Sequence, residues 1–297
     1  MTFHIIFRNS RRILEPNRIL YVDRAYVVVN KPDNFITQYP RDPQKSADSE
    51  AVAELVGSIP SAPNSTQLYP VHRLDKGTTG CLVFARSPAY AHAYSNQLRQ
   101  MTVQKTYHAL VNSSASPILS STISGQIRVG ISLKEGWPSV SSDSDARETL
   151  TDWEILETNP VLGISLVKLR LHTGIKHQLR VHMAEVLQAP ILGDLQHTIR
   201  NQTERRLPLP NDRLFLHASE ISFHRFRRTG KPKRVNLAVA APLPGDFMQI
   251  CRDAGFCVSS RTFVGGGLSI DGHPMQESAE LDGFWISSIV QPIHKVP

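Results

Sequence analysis

The residues best suited to chemistry lie in one short stretch, His72-Arg73-Leu74-Asp75-Lys76-Gly77-Thr78-Thr79-Gly80. It holds a single carboxylate, Asp75, close to a cation (Arg73) and an imidazole (His72). The apolar run Cys81-Leu82-Val83-Phe84-Ala85 follows and predicts a buried strand. A loop carboxylate held against a rigid sheet can be aimed at a substrate, as a nucleophile or as a proton acceptor. An Asp beside Gly and Thr also suits a turn that bonds to its own loop. Two other motif readings fail. Leu74 separates Arg73 from Asp75, and no V-A-I-K or D-F-G accompanies them, so this is not a kinase catalytic loop. Gly77-Thr78-Thr79-Gly80 fits the G-x-x-G of a KH domain, but that loop joins two helices and here a strand pattern follows.

Three further clusters carry polar chemistry. In His172-Thr173-Gly174-Ile175-Lys176-His177-Gln178-Leu179-Arg180-Val181-His182 the histidines recur every five residues, which is not a metal-ligand spacing. Lys176 and Arg180 share a face of the predicted helix; such a pair binds phosphate, holds a carboxylate, or simply faces water. In Lys105-Thr106-Tyr107-His108-Ala109-Leu110 a strand would place Lys105, Tyr107 and Ala109 on one side, with Tyr107 either packing in the core or stacking on a base. The segment from Arg225 to Arg234 also contains Arg227, Arg228, Lys231 and Lys233 and no acid, either a phosphate-binding patch or a solubilising loop.

The elements that must position these groups read as mostly strands. Residues 19–22 and 25–29 form a predicted hairpin, and Asp48 could cap a helix over 49–56. Ser87 and Pro88 suit the N-cap and first position of a helix running to about Met101, with Ala91, Tyr94, Leu98 and Met101 on one face. Further strands are predicted at 105–111, 150–156 and 164–171, and a hairpin from 214–226 and 235–241. A helix with Leu179, Met183, Val186 and Leu187 on one face follows Gly174 and ends at Pro190; a short one is possible after Asp246. Residues 112–125, 136–148 and 199–213 read as loops. Short turns join most strands, so the expected fold is α+β with a mixed, largely antiparallel sheet and flanking helices.

The chain has 297 residues and a formal net charge of +7, a balance that favours a polyanion partner. Its three cysteines, Cys81, Cys251 and Cys257, fit neither a disulfide framework nor a zinc site, consistent with a reducing compartment. No apolar run approaches the roughly 20 residues of a membrane span. Arg8, Arg11 and Arg12 precede the first acid, Glu15, so residues 1–19 are expected to be a basic arm or a short mitochondrial presequence. Residues 20–250 are expected to form the catalytic domain and 251–297 a peripheral tail.

Taken in order, these motifs resemble the RluA-type pseudouridine synthases over roughly residues 20–247. Val28-Val29-Asn30-Lys31-Pro32 resembles the family's opening strand, and His72 to Gly80 its H-R-L-D-x-x-T-S-G motif, with Thr79 where Ser is usual. Lys105 to Val111 resembles K-x-Y-x-A-x-V; Thr173 to His182 and Pro190-Ile191-Leu192-Gly193-Asp194 resemble T-G-R-x-H-Q-[IL]-R-x-H and P-I-x-G-D. Leu216-His217-Ala218 and Ala241-Pro242-Leu243-Pro244 fit the closing strands. Ile175-Lys176 departs from the usual Arg in a way that resembles eukaryotic organellar members. With about 20 residues before the first strand of the resembling region, the small N-terminal RNA-binding domain of many relatives is not expected here.

The resemblance implies isomerisation of uridine to pseudouridine in RNA, ribosomal RNA being expected with tRNA or mRNA as alternatives, by a monomer that uses no metal, redox agent or other cofactor and no membrane; the alternative reading is a catalytically silent RNA-binding protein of the same fold. It implies Asp75 as the catalytic carboxylate, Arg180 as its partner, and Tyr107 as the residue that packs on the target base. Leu179 borders the base pocket, and Arg73 enters the RNA where the base is flipped out. His72, Leu74, Thr79, Lys176 and His177 are expected around the substrate.

Overall fold

In a computed structural model of the chain, the described residues are 18–37, 67–198, 209–210, 212–259, 261–275, 277–278, 281 and 283–285. The helix expected at 49–56, most of the basic N-terminal segment and most of the 199–213 loop lie outside them.

The strands are β1 (Ile19–Val22), β2 (Tyr26–Lys31), β3 (Tyr69–Pro70), β4 (Thr79–Ala85), β5 (Gln104–Asn112), β6 (Ser124–Lys134), β7 (Trp137–Val140), β8 (Arg147–Asn159), β9 (Ile164–Leu171), β10 (Leu216–Phe226), β11 (Arg234–Ala240), β12 (Gly267–Ile270), β13 (His273–Met275), β14 (Glu277–Ser278) and β15 (Gly283–Trp285). The helices are α1 (Pro88–Arg99), α2 (Pro117–Ser121), α3 (Gln178–Val181), α4 (Gly245–Asp253) and α5 (Arg261–Gly265). All the strands join one sheet, whose main path runs β14-β15-β1-β2-β4-β10-β5-β9-β8-β6-β7, with β11, β12 and β13 continuing from β10. Among its pairings only β4 with β10 is parallel. The fold is α+β on a mixed, largely antiparallel sheet, as expected.

The apolar runs form the centre. Every residue of β2 and of β4 is buried, as befits strands covered on both faces. The β1–β2 hairpin turns on Asp23, whose Oδ1 accepts the backbone N–H groups of Ala25 and Tyr26, both at 2.7 Å. Ser87 caps α1 by accepting the Tyr90 N–H at 3.3 Å, and Pro88 opens the helix. Met101 is not on the buried face: the helix ends at Arg99, and Met101 adopts φ 54° with its side chain exposed.

Two polar regions differ from expectation. Residues 124–134 and 137–140, within or beside segments read as loops, pair as the hairpin β6–β7, and β6 pairs with β8, which already begins at Arg147. Residues 117–121 form α2. This arm is held by ladder hydrogen bonds more than by apolar burial, so its Ser-rich composition reads as loop. The expected tail is not peripheral where it is described. β12 pairs along β11, and β15 pairs with β1, so these strands extend the sheet at two edges; Leu268, Ile270 and Leu281 pack in the core.

Gly80 is needed where β4 meets β10. Its φ is +107°, and a Cβ there would stand 2.2 Å from the Ala218 carbonyl oxygen. Gly80→Ala is therefore expected to destabilise the protein by about 3 kcal/mol or more, read as a lower urea midpoint.

Candidate active site

Asp75 sits on a loop pinned on both sides. Ahead of it, His72 Nε2 accepts the Val83 N–H at 3.0 Å, and Thr37 Oγ1 donates to the Leu74 carbonyl at 2.9 Å. Behind it, the Thr78 N–H donates to the Asp75 carbonyl at 3.0 Å, and the buried Lys31 ammonium donates to the carbonyls of Lys76, Pro32 and Phe35, each at 2.9 Å. An ammonium has three donors, and here it clamps β2 to the Asp75 loop. His72 serves the fold: burial, and then the nearby Lys105 charge, push its pKa down to about 3, so it stays neutral and accepts.

The opposite wall starts at the end of β9. Gln178 ties the 173–177 loop to β8: its Oε1 accepts from Thr173 Oγ1 (2.9 Å) and the Ile175 N–H (3.2 Å), and its Nε2 donates to the Leu150 carbonyl and Thr151 Oγ1. His177 takes a left-handed conformation, φ 54°, and α3 begins one residue later. A five-residue π turn, His182–Val186, continues it.

Arg180 then points at two carboxylates. Its Nε and Nη2 donate to Asp194 Oδ2 and Oδ1, both at 2.7 Å, and Nη2 also donates to Gln196 Oε1 at 2.9 Å. The remaining Nη1 donates to Asp75 Oδ2 at 3.4 Å. The expected Asp75–Arg180 pair therefore exists, but the fork of Arg180 belongs to Asp194. Asp194 Oδ1 also accepts the N–H groups of Gln196 and His197. Burial works against the Asp194 carboxylate, yet the guanidinium and these backbone donors outweigh it and hold its pKa below the usual range. Asp194 was legible only as the last letter of the P-I-x-G-D segment, and its spacing from Arg180 carries no local signal.

Asp75, Arg180, Tyr107, Leu74, Leu179, Lys176, His177, Arg73 and His72 all line one cavity of about 640 Å³. Among the described residues, five Lys or Arg side chains line it, and Asp75 is the one acid. Tyr107, on β5, is buried; burial and then the Asp75 charge raise its pKa, so the phenol stays protonated. His177 Nε2 stands 3.8 Å from Asp75 Oδ2, and its Nδ1 is 3.0 Å from His197 Nε2. Burial dominates and lowers the His177 pKa to about 4, against the pull of Asp75. Lys176 Nζ donates to the Gly136 carbonyl at 2.8 Å, which ties the β6–β7 turn to the cavity rim. Thr79 is the exception among the expected residues. It is buried, its hydroxyl lies 2.9 Å from His217 Nδ1, and its neighbour Thr78 lines the cavity instead, because successive strand residues face opposite ways.

The basic β10–β11 hairpin needs a similar correction. Arg225 is buried, donates from Nε to Asp23 Oδ2 at 2.7 Å and lies over the Tyr26 ring. It braces the sheet, and Arg228, Lys231, Lys233 and Arg234 are the exposed charges there.

The sheet and its converging loops place the Asp75 carboxylate among cations in one cavity. Residues 25–185 match the family described as RNA pseudouridylate synthase, and the chain belongs to that family. It is similar to tRNA pseudouridine synthase C of Haemophilus influenzae, with 33% identity over 69% of this chain and 86% of that one. It is 32% identical to a mitochondrial pseudouridylate synthase of Rattus norvegicus over 62% of this chain and 52% of the other. The solved structure of human RNA pseudouridylate synthase domain containing 4 superposes with a TM-score of 0.60 and 25% identity, over 80% of this chain and 92% of that one. Enzymes of this family are isomerases that convert uridine to pseudouridine in RNA.

Two outcomes follow from the site geometry. Asp194→Asn leaves a buried guanidinium without its carboxylate, so a stability loss of about 3 kcal/mol is expected in urea unfolding. His182 tests acid stability. Thr149 Oγ1 donates to the Val129 carbonyl and thus accepts from His182 Nε2, while Thr151 Oγ1 accepts from Gln178 and donates to His182 Nδ1. These bonds fit the neutral ring, and burial lowers its pKa to about 4. The folded pKa is below the unfolded value of about 6.5, so this contribution is complete above pH 6.5. It is lost as pH falls toward 4, at up to about 1.4 kcal/mol per pH unit. In His182→Gln, unfolding midpoints measured between pH 7 and 4 should fall less steeply than in the parent protein.

Proposed function

We propose that this protein isomerises uridine in RNA with Asp75 as its one reacting carboxylate. The observation that carries this reading is the cavity itself: one half-buried acid, oriented but not consumed by an anchored arginine, inside a basic wall suited to a polyanion. In the reaction the N1–C1′ bond breaks, the base turns, C5 bonds to C1′, and the C5 proton is lost as N1 gains one, so atoms balance without redox or an added group. A carboxylate serves either as a nucleophile on sugar or base, or as a base that takes a sugar proton in a glycal route. Arg180 orients Asp75 through its Nη1 and limits its rotamers. Tyr107 offers an aromatic face and a protonated hydroxyl to the extruded base. A glycosidase reading would need a second carboxylate several ångströms away, and none lines the cavity among the described residues. A silent RNA-binding protein would have no need of a carboxylate held by an arginine that Asp194 already secures.

Ribosomal RNA is the substrate that the resemblance suggested. The Haemophilus relative's name specifies tRNA, so we place tRNA first. The mitochondrial name of the rat relative and the arginine-rich start support an organellar location. Pseudouridine mapping of organellar and cytosolic RNA, with and without the protein, distinguishes these assignments. In vitro, Asp75→Asn should reduce tritium release from 5-tritiated uridine RNA by about a thousandfold or more while RNA affinity stays within about twofold. Turnover at the parent rate would remove Asp75 from the mechanism.

A further inference from the structure

Lys105 stands apart from the other cations of the cavity. Arg180 is forked onto Asp194, Lys176 is bonded to Gly136, and Arg73 and Arg99 are exposed to solvent. Lys105 lines the same cavity on β5, half-buried, and no carboxylate or carbonyl among the described residues accepts from its ammonium. Asp75, the one acid lining the cavity among the described residues, is already engaged by Arg180 and faced by His177. The Lys105 ammonium lies beside the 173–177 loop, 3.5 Å from where a Cβ on Gly174 would be. On its strand it is two residues from Tyr107, on the same face and about 7 Å along. It therefore lines the chamber one step along the strand from the ring on which the base would pack.

We propose that Lys105 is the ligand of a backbone phosphate flanking the target uridine, a site that rests on the RNA-isomerase reading above. A half-buried ammonium without an acid is unfavourable in the free protein, and burial alone lowers its pKa. The missing partner must be an anion. A uracil offers only neutral carbonyls, whereas every nucleotide drawn into the cavity brings a charged phosphate. Placing the ammonium near the base platform makes one phosphate contact available only after the nucleotide has left its stack, which favours the extruded state over the stacked one.

The test uses the full chain, Lys105→Met and Lys105→Arg, and an RNA stem-loop with a loop uridine. Binding is followed by fluorescence anisotropy as salt is varied. Lys105→Met should weaken binding about tenfold at low salt and reduce the log–log salt slope by about 0.7, one single-strand phosphate. Lys105→Arg should restore the slope. Without RNA, Lys105→Met should show an unchanged or higher Tm, because it removes an uncompensated buried charge. An unchanged slope in Lys105→Met, or a fall in Tm showing a structural partner, overturns the assignment. A turnover loss with an intact slope would mean that Lys105 acts on the base, and overturns it too. Since the slope is measured without catalysis, it stands or falls separately from Asp75→Asn: a silent RNA-binding protein would still lose the phosphate contact.

Discussion

The site depends on the buried ion pair between Arg180 and Asp194. A guanidinium removed from water has to be compensated in place, and Asp194 does so with both oxygens while backbone N–H groups of Gln196 and His197 fill the rest of its acceptor capacity. Because the fork is already satisfied, Arg180 can extend one remaining amino group to Asp75 at 3.4 Å without capturing it. A direct bidentate clamp on Asp75 would occupy the oxygen that has to reach the substrate. Splitting the anchor from the reactive acid avoids that conflict.

This division of labour constrains the fold around it. Asp75 enters from the loop before β4, Arg180 from the short helix after β9, and Asp194 from the loop after it. Each needs its own brace. Lys31 and Thr37 tie down the first, Gln178 and Thr173 the second, and the Gly193-Asp194 turn the third. Tyr107 comes from β5, which lies between β10 and β9 in the sheet. The long antiparallel sheet is thus a rigid plate from which loops converge on one chamber, and rigidity there preserves distances that a single-ångström shift would spoil.

Much of this was legible in the chain. The fully apolar runs at 26–29 and 81–85 marked the central strands, and Ser87-Pro88 marked a helix start, because burial on two faces and capping leave local signatures. The β6–β7 arm and the late strands β12 and β15 left none. Their strands are satisfied by pairing partners distant in sequence, so polar and glycine-rich composition concealed them. The same limit explains Arg225. Six charges in a run look like one surface, but alternation along β10 turns one of them inward onto Asp23, some two hundred residues away.

By itself the sequence determined which groups the site would contain: an acid on a glycine-flanked loop, a tyrosine on a strand, an arginine on a short helix, in an order that marks the family. These are properties of local spacing, and local spacing survives in a one-dimensional reading. Only the tertiary structure decided how charge is shared among them. It assigned the arginine fork to Asp194, neutralised His72, His177 and His182 by burial, turned Thr79 away from the cavity, and left Lys105 without an acid among the described residues. Those outcomes depend on desolvation and on distances between segments far apart in the chain, and neither quantity exists until the chain is folded.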